Sequence, residues 1–245
     1  MPFLFLSPST PDFNAYATTG NEEYWTNRIA DAMEPLLRAS GVNATRNDPA
    51  LNAAASIRAS NAGEYDFHLA IHSNAGPAAL AGQLQGSDAY YYPDSLEGLR
   101  MANLIVDNLS AVYLYPEKVR ALPTTSIGEV SRVRAPSVLV EVAYHDNLED
   151  AVWITGNVDA IARALALSVT EYFGLPFLTP LPVQAGRIAD PAGAALRRAP
   201  SPAARTYLTI PAEAGIEIYA GYDSWYTAGY RGVVGFVDAG AVEFL

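Results

Sequence analysis

Apolar positions along the first two thirds of the chain recur with two different periods, and the alternation between them predicts a layered α/β arrangement. Phe3–Leu6 is a short apolar run closed by Ser7-Pro8-Ser9-Thr10-Pro11, which predicts a buried strand and a turn. From Glu22 to Ala39, Trp25, Ile29, Ala32, Met33 and Leu36 recur at three- and four-residue steps, the spacing of an amphipathic helix. Asn21 fits its N-cap and Gly41 its stop. Val42–Arg46 predicts a strand edge, Leu51–Asn61 a second helix, Asp66–His72 a buried strand and Leu96–Leu109 a further amphipathic helix. Asp88–Pro93, with three consecutive tyrosines, predicts a strand leading into a loop. Pro136–Val142 is the most β-branched run and predicts a central strand, and Val158–Tyr172 closes the segment as a helix. Strands alternating with helices in this way imply a mostly parallel twisted sheet flanked by helices.

The pattern changes at Gly174–Gly186, a stretch with three prolines and almost no charge that resists both helix and sheet pairing. Beyond it, Tyr207–Ile210, Ile216–Ala220, Trp225–Tyr230, Val233–Val237 and Ala241–Phe244 are short β-like runs punctuated by Gly, Pro and Asp, which predicts a small all-β barrel. The expected organisation is an α/β domain over residues 1–175, a Pro-rich linker over 176–185 and a β domain over 186–245.

Composition narrows the chemistry. Half of the 245 residues are hydrophobic and 17% are charged, enough for a sizeable core. The net charge of −11 argues against nucleic acid and anionic membranes as partners, because phosphate affinity comes from clustered positive charge. With no cysteine there is no disulfide, thiolate metal site or cysteine nucleophile, so any metal site must use the three histidines and carboxylates. No stretch approaches a membrane span, and the opening Met1–Leu6 lacks the basic flank and length of a signal peptide.

Function in a parallel α/β sheet gathers at the carboxyl ends of strands. His72 ends one expected strand and Glu141 another, while Ser9 and Thr10 follow the first. Glu22, three residues before Trp25 and seven before Ile29, falls on the buried face of its helix. One imidazole and two carboxylates at a sheet edge suit metal-assisted hydrolysis. Each also has a structural reading: a strand-end histidine can be a hydrogen-bonded core group, and Glu22 can favour a helix N-terminus through the dipole. Glu141 is the hardest to explain structurally, since a carboxylate in an apolar strand is costly unless paired or functional.

Phe67–Gly76 (FHLAIHSNAG), Ala135–Asn147 (APSVLVEVAYHDN) and the helix opening Glu22…Trp25…Arg28-Ile29-Ala30 together resemble the zinc-dependent N-acetylmuramoyl-L-alanine amidases, which hydrolyse bacterial cell walls. The resemblance implies Glu22 and His72 as ligands of Zn²⁺, with Glu23 the alternative on the helix, and Glu141 as the catalytic base. It implies peptidoglycan as the partner and the cell wall as the place of action, outside the cell or after lysis. The sequence departs from the family where a histidine ligand normally follows the first strand, because Thr10 stands there. Three outcomes are open: His145 completes the site, water completes it around a weakly held metal, or hydrolysis is lost and wall binding retained. His68 lies on the same strand face as His72, but ~13 Å along it at ~3.3 Å per residue, and is expected to be structural. A second resemblance, in Trp225–Val237 (WYTAGYRGVVGFV) and Leu196–Pro202 (LRRAPSP), is to bacterial SH3-like modules that accompany wall hydrolases and bind peptidoglycan. Trp225, Tyr230 and Phe236 are expected in that module's core, with Tyr219, Tyr222 and Tyr226 suited to stacking on carbohydrate or peptide.

Overall fold

In the computed structural model, which describes residues 2–11 and 14–245, the apolar periods translate into two sheets. Met1, at the head of the expected first strand, lies outside the described residues. The elements of the first part are β1 (Phe3–Pro8), α1 (Glu22–Ala39), β2 (Asn43–Arg46), α2 (Ala53–Ala62), β3 (Phe67–Asn74), β4 (Ser87–Tyr91), α3 (Leu96–Ser110), β5 (Val119–Pro123), α4 (Gly128–Ser131), β6 (Ser137–Tyr144), α5 (Leu148–Gly156) and α6 (Val158–Phe173). The six strands lie in the order β2-β1-β3-β6-β4-β5. The sheet is mixed: β4 runs antiparallel to β6, and the other pairings are parallel.

The period of two in the central strands divides the sheet into unlike faces. Phe67, Leu69 and Ile71 of β3 and Val138, Val140 and Val142 of β6 pack with Ile29, Met33, Met101, Ile105, Ile161 and Leu165 in the main core, against α1, α3 and α6. The alternate residues face the other way, where Ala70 and Leu139 meet Val130 of α4 and leave room for polar groups. His68, His72 and Glu141 belong to this second face. β3 and β6 each run two residues beyond their expected ends, so His72 and Glu141 sit inside strands rather than at their last residue.

After α6 stops at Gly174 in the left-handed conformation (φ 67°), residues 175–183 form neither helix nor strand. The second sheet then contains seven strands, two more than the pattern implied: β7 (Gln184–Ile188), β8 (Ala194–Arg197), β9 (Thr206–Ile210), β10 (Gly215–Tyr222), β11 (Trp225–Tyr230), β12 (Val233–Asp238) and β13 (Val242–Phe244), in the order β13-β7-β10-β11-β12-β8-β9. All of its pairings are antiparallel.

The two sheets are joined by packing as well as by the chain. Asn43 on the edge strand β2 donates from Nδ2 to the Val234 carbonyl at 2.9 Å and accepts the Val234 N–H at 2.7 Å, so its amide continues the ladder into the second sheet. Trp225 and Phe236 belong to the core of the first sheet, not that of the second. Phe236 lies over Gly41, whose φ of +81° and close approach both require glycine: a Cβ there would sit 2.5 Å from Phe236 Cε2. Gly41→Ala is therefore expected to lower unfolding stability by about 1–3 kcal/mol, measured by urea denaturation. An unchanged midpoint would mean that this contact does not hold the sheets together.

Candidate functional site

The site is assembled from the two central strands, the start of α1 and the short helix α4. In the register of β3 with β6, His72 lies directly beside Glu141, and in that of β6 with β4, Glu141 lies beside Asp88. The three side chains therefore form one row on the polar face. Asn21 caps α1 by accepting the Tyr24 N–H, and this fixes the first turn so that Glu22 points into the sheet edge and is only 4% exposed.

Glu22 Oε1 lies 2.8 Å from His72 Nδ1 and accepts the Ser73 N–H at 3.1 Å, while its Oε2 accepts from Asn14 Nδ2 at 2.7 Å. Burial pushes this carboxyl up, but the His72 hydrogen bond and charge, with help from Asn14 and Ser73, outweigh it and hold the pKa at about 2. It is Glu22, not Glu23, that the helix presents to His72. For Glu141 burial wins: with the charges of Glu22 and Asp88 added, and His72 opposing, its pKa rises to about 7. Its Oε2 is buried with no hydrogen-bond partner, the one orphaned oxygen in this row among the described residues. Asp88 is anchored by Arg120, whose Nε and Nη2 donate to its carboxylate at 2.9 and 3.1 Å.

A further carboxylate enters from α4. Glu129 Oε2 lies 3.2 Å from His72 Nε2, so the imidazole is held between two glutamates, one on each ring nitrogen. Its Oε1 accepts the Ser7 hydroxyl at 2.6 Å and lies 3.3 Å from His68 Nε2. The two histidines, four residues apart along the strand, thus share one carboxylate because their side chains lean toward it. His68 itself is fully buried, with Nδ1 3.0 Å from Ser60 Oγ and its ring stacked on Phe5. Despite its burial, Glu129 is held at a pKa of about 2 by hydrogen bonds and charge from His68 and His72. For His72, burial opposes the charged form, but Glu129, Glu22 and Glu141 together raise its pKa well above the usual histidine value.

His145 lies elsewhere in the network. Its Nδ1 is 3.1 Å from Ser73 Oγ and 2.9 Å from the Ser73 carbonyl, and its ring stacks on Tyr16, whose hydroxyl donates to Ser73 Oγ at 2.9 Å. The His145 carbonyl accepts the Ala17 N–H at 2.8 Å. The residue therefore fastens the loop that carries Asn14 and is committed to Ser73. Asn147 caps α5 through bonds from the Glu149 and Asp150 amides. Thr10 stands just beyond β1. Sequence reasoning missed Glu129; its signal was a lone carboxylate between Ile127 and Val130, the apolar residues that seat α4 on the sheet.

The model of the N-acetylmuramoyl-L-alanine amidases matches residues 9–171, the stretch that carries these side chains. The chain belongs to the N-acetylmuramoyl-L-alanine amidase family. No curated protein matches it. Solved amidases share the fold of its first part. The N-acetylmuramoyl-L-alanine amidase of Clostridium difficile 630 is 13% identical, with a TM-score of 0.62 over 70% of this chain and 96% of that one. Ami1 of Mycobacterium smegmatis is 17% identical, with a TM-score of 0.60 over 70% and 96%. AmiC2 of Nostoc punctiforme is 19% identical, with a TM-score of 0.59 over 70% and 97%. The second sheet lies outside the region matched by the family model.

As an amidase-family site the cluster can be tested against zinc. Glu22 Oε1 and His72 Nδ1 are an oxygen and a nitrogen donor of the kinds that bind Zn²⁺, side by side, next to an orphaned carboxylate oxygen of Glu141. The donors fit zinc in kind. In number they fall short, since among the described residues no group of three or more His, Asp or Glu side chains is arranged to hold a metal ion.

The paired carboxylates also set the acid response. Glu22 and Glu129 have folded pKa values near 2 against an ordinary 4.5, so their stabilising contribution is complete above pH 4.5 and is lost as the pH falls toward 2. His72, raised above 6.5, contributes in the opposite sense, with stability lost as the pH rises through its folded value. The melting temperature should fall steeply between pH 4.5 and 2, and Glu129→Gln should flatten that slope. Parallel curves for the two proteins would show that the pairing does not stabilise the fold.

Proposed function

We propose that the protein is a zinc-dependent peptidoglycan hydrolase that cleaves the amide between the lactyl group of N-acetylmuramic acid and L-alanine of the stem peptide. The reading rests on one observation above others: the Glu22–His72 pair lies beside a carboxylate, Glu141, whose buried oxygen is unpartnered and whose pKa is raised to about 7. Glu22 and His72 would hold the zinc, with water completing its coordination. When bound, zinc supplies Lewis acidity to the scissile carbonyl and lowers the pKa of water.

Glu141 then does the proton work. A carboxylate poised near neutral pH accepts a proton from water as the water oxygen bonds to the carbonyl carbon, and returns a proton to the alanine nitrogen as the C–N bond breaks. Asn14 and Ser73 orient Glu22 by donating to its two oxygens. Burial pushes the Asp88 carboxyl up, and Arg120 opposes that shift while holding the group in place beside Glu141.

The second sheet is proposed as an SH3-like wall-binding unit over residues 186–245, joined by 176–185 to the hydrolase unit over 1–175. Its composition supports that role in part. Tyr222 is exposed and Tyr226 partly so, whereas Tyr219, Trp225 and Phe236 are buried. The alternative is a catalytically impaired wall-binding protein, favoured by Thr10 in the place of the family's histidine.

Digestion of purified peptidoglycan separates the readings. The proposal predicts free L-alanine amino termini and their loss on chelation. Glu141→Gln should keep zinc uptake and lose about 10²–10⁴-fold in rate. Glu22→Ala and His72→Ala should lose zinc, and His145→Ala should retain it. New amino termini from another stem residue would mark a peptidase instead, and no release with zinc present would mark the wall-binding alternative.

A further inference from the structure

A cleft of about 680 Å³ separates the end of α1 and the edge strand β2 from the second sheet, and it shares no residue with the Glu22–His72 row. Its β2 wall is an open strand edge. Among the described residues β2 pairs with β1 alone, and Ala44 and Thr45, which point to opposite faces of the sheet, are both exposed and both line the cleft. Asn43 bridges to Val234 at one end of that edge, and the backbone beyond it is free to take a further strand. The facing wall includes the tight turn between β11 and β12, where Arg231 (φ 50°) and Gly232 (φ 77°) are consecutive left-handed residues. Glycine adopts that conformation freely, whereas arginine is strained in it. The strain holds the Arg231 side chain against the cleft.

We propose that this cleft binds an extended acidic peptide, whose main chain pairs with the free edge of β2 and whose carboxylates are taken by Arg38 and Arg231. Arg38, in the last turn of α1, lies over the Tyr219 ring with Cζ 5.4 Å from its centroid, and Arg231 lies over Tyr230 at 5.3 Å. Stacking occupies a face of each guanidinium and leaves its N–H edges free for the two parallel bonds that a carboxylate accepts. Among the described residues neither guanidinium has a hydrogen-bond or ion-pair partner. The carboxylates that line the cleft are committed elsewhere: Glu34 is paired with Arg46 at 2.9 Å, and Glu217 accepts the Tyr219 hydroxyl at 2.7 Å. An open strand edge supplies affinity for any extended chain, and the two forked donors supply the selection for acidic side chains. Tyr219 is buried and both rings are covered on one face by arginine, so the cleft offers charge rather than bare rings for a sugar. None of these residues takes part in the proposed hydrolysis, and the inference stands whether or not zinc binds.

The test titrates the full-length protein, kept in a chelator so that hydrolysis plays no part, into a rhodamine-labelled hexapeptide of alternating alanine and glutamate and follows fluorescence anisotropy. Saturable binding is expected. It should weaken about 10-fold or more when glutamine replaces glutamate in the peptide, and by a similar factor in Arg38→Gln. Arg231→Gly separates recognition from folding. It removes the guanidinium and relieves the left-handed strain, so it should weaken binding about 10-fold without lowering the melting temperature. No saturable binding, equal binding of the glutamine peptide, or affinity within twofold of wild type in either arginine variant would overturn the proposal.

Discussion

The contact on which the site depends is the imidazole of His72 held between two carboxylates, Glu22 on Nδ1 and Glu129 on Nε2. Burial opposes the charge on both glutamates and is outweighed by His72 with Asn14 and Ser73 at Glu22, and by His68 with His72 at Glu129. The three residues come from the first turn of α1, the middle of β3 and α4, so the contact ties together the sheet and helices from both of its faces. Glu141 is left as the member of the row without a compensating partner, and its raised pKa follows from that position.

The architecture explains how such a cluster survives inside a predominantly apolar protein. The main core occupies one face of the six-stranded sheet, where α1, α3 and α6 cover Leu, Ile and Val side chains. The opposite face carries only a small apolar patch under α4. Period-two alternation assigns His68, His72 and Glu141 to that thinner side, and the polar groups satisfy one another there instead of interrupting the main core. On the same logic His145, past the end of β6, serves the loop above the site through Ser73 and Tyr16.

Much of this was legible in the sequence, for specific physical reasons. The three- and four-residue spacing in α1 placed Glu22 on a buried face, and the apolar runs around His72 and Glu141 marked adjacent central strands. The family resemblance in FHLAIHSNAG and APSVLVEVAYHDN then implied the roles proposed for them. What escaped were elements too short or too polar to carry a period: β5, α4 and the strands β7 and β8. Glu129 was hidden for that reason, because a helix of four residues has no periodicity to reveal its inward face. His68 was separated from His72 by counting backbone rise alone, which ignores two side chains leaning toward a common carboxylate. The antiparallel placement of β4 depends on long-range pairing that local pattern does not encode.

The proposed hydrolase requires Glu22 and His72 to form its metal-binding face. The most direct measurement is an anomalous difference map at the zinc edge from crystals of the wild-type protein equilibrated with zinc. The account predicts one dominant peak bridging the Glu22 carboxylate and the Nδ1 side of the His72 ring, next to Glu141 and on the side away from Glu129. A map with no peak there, or with zinc between Glu129 and the two histidines, would contradict it.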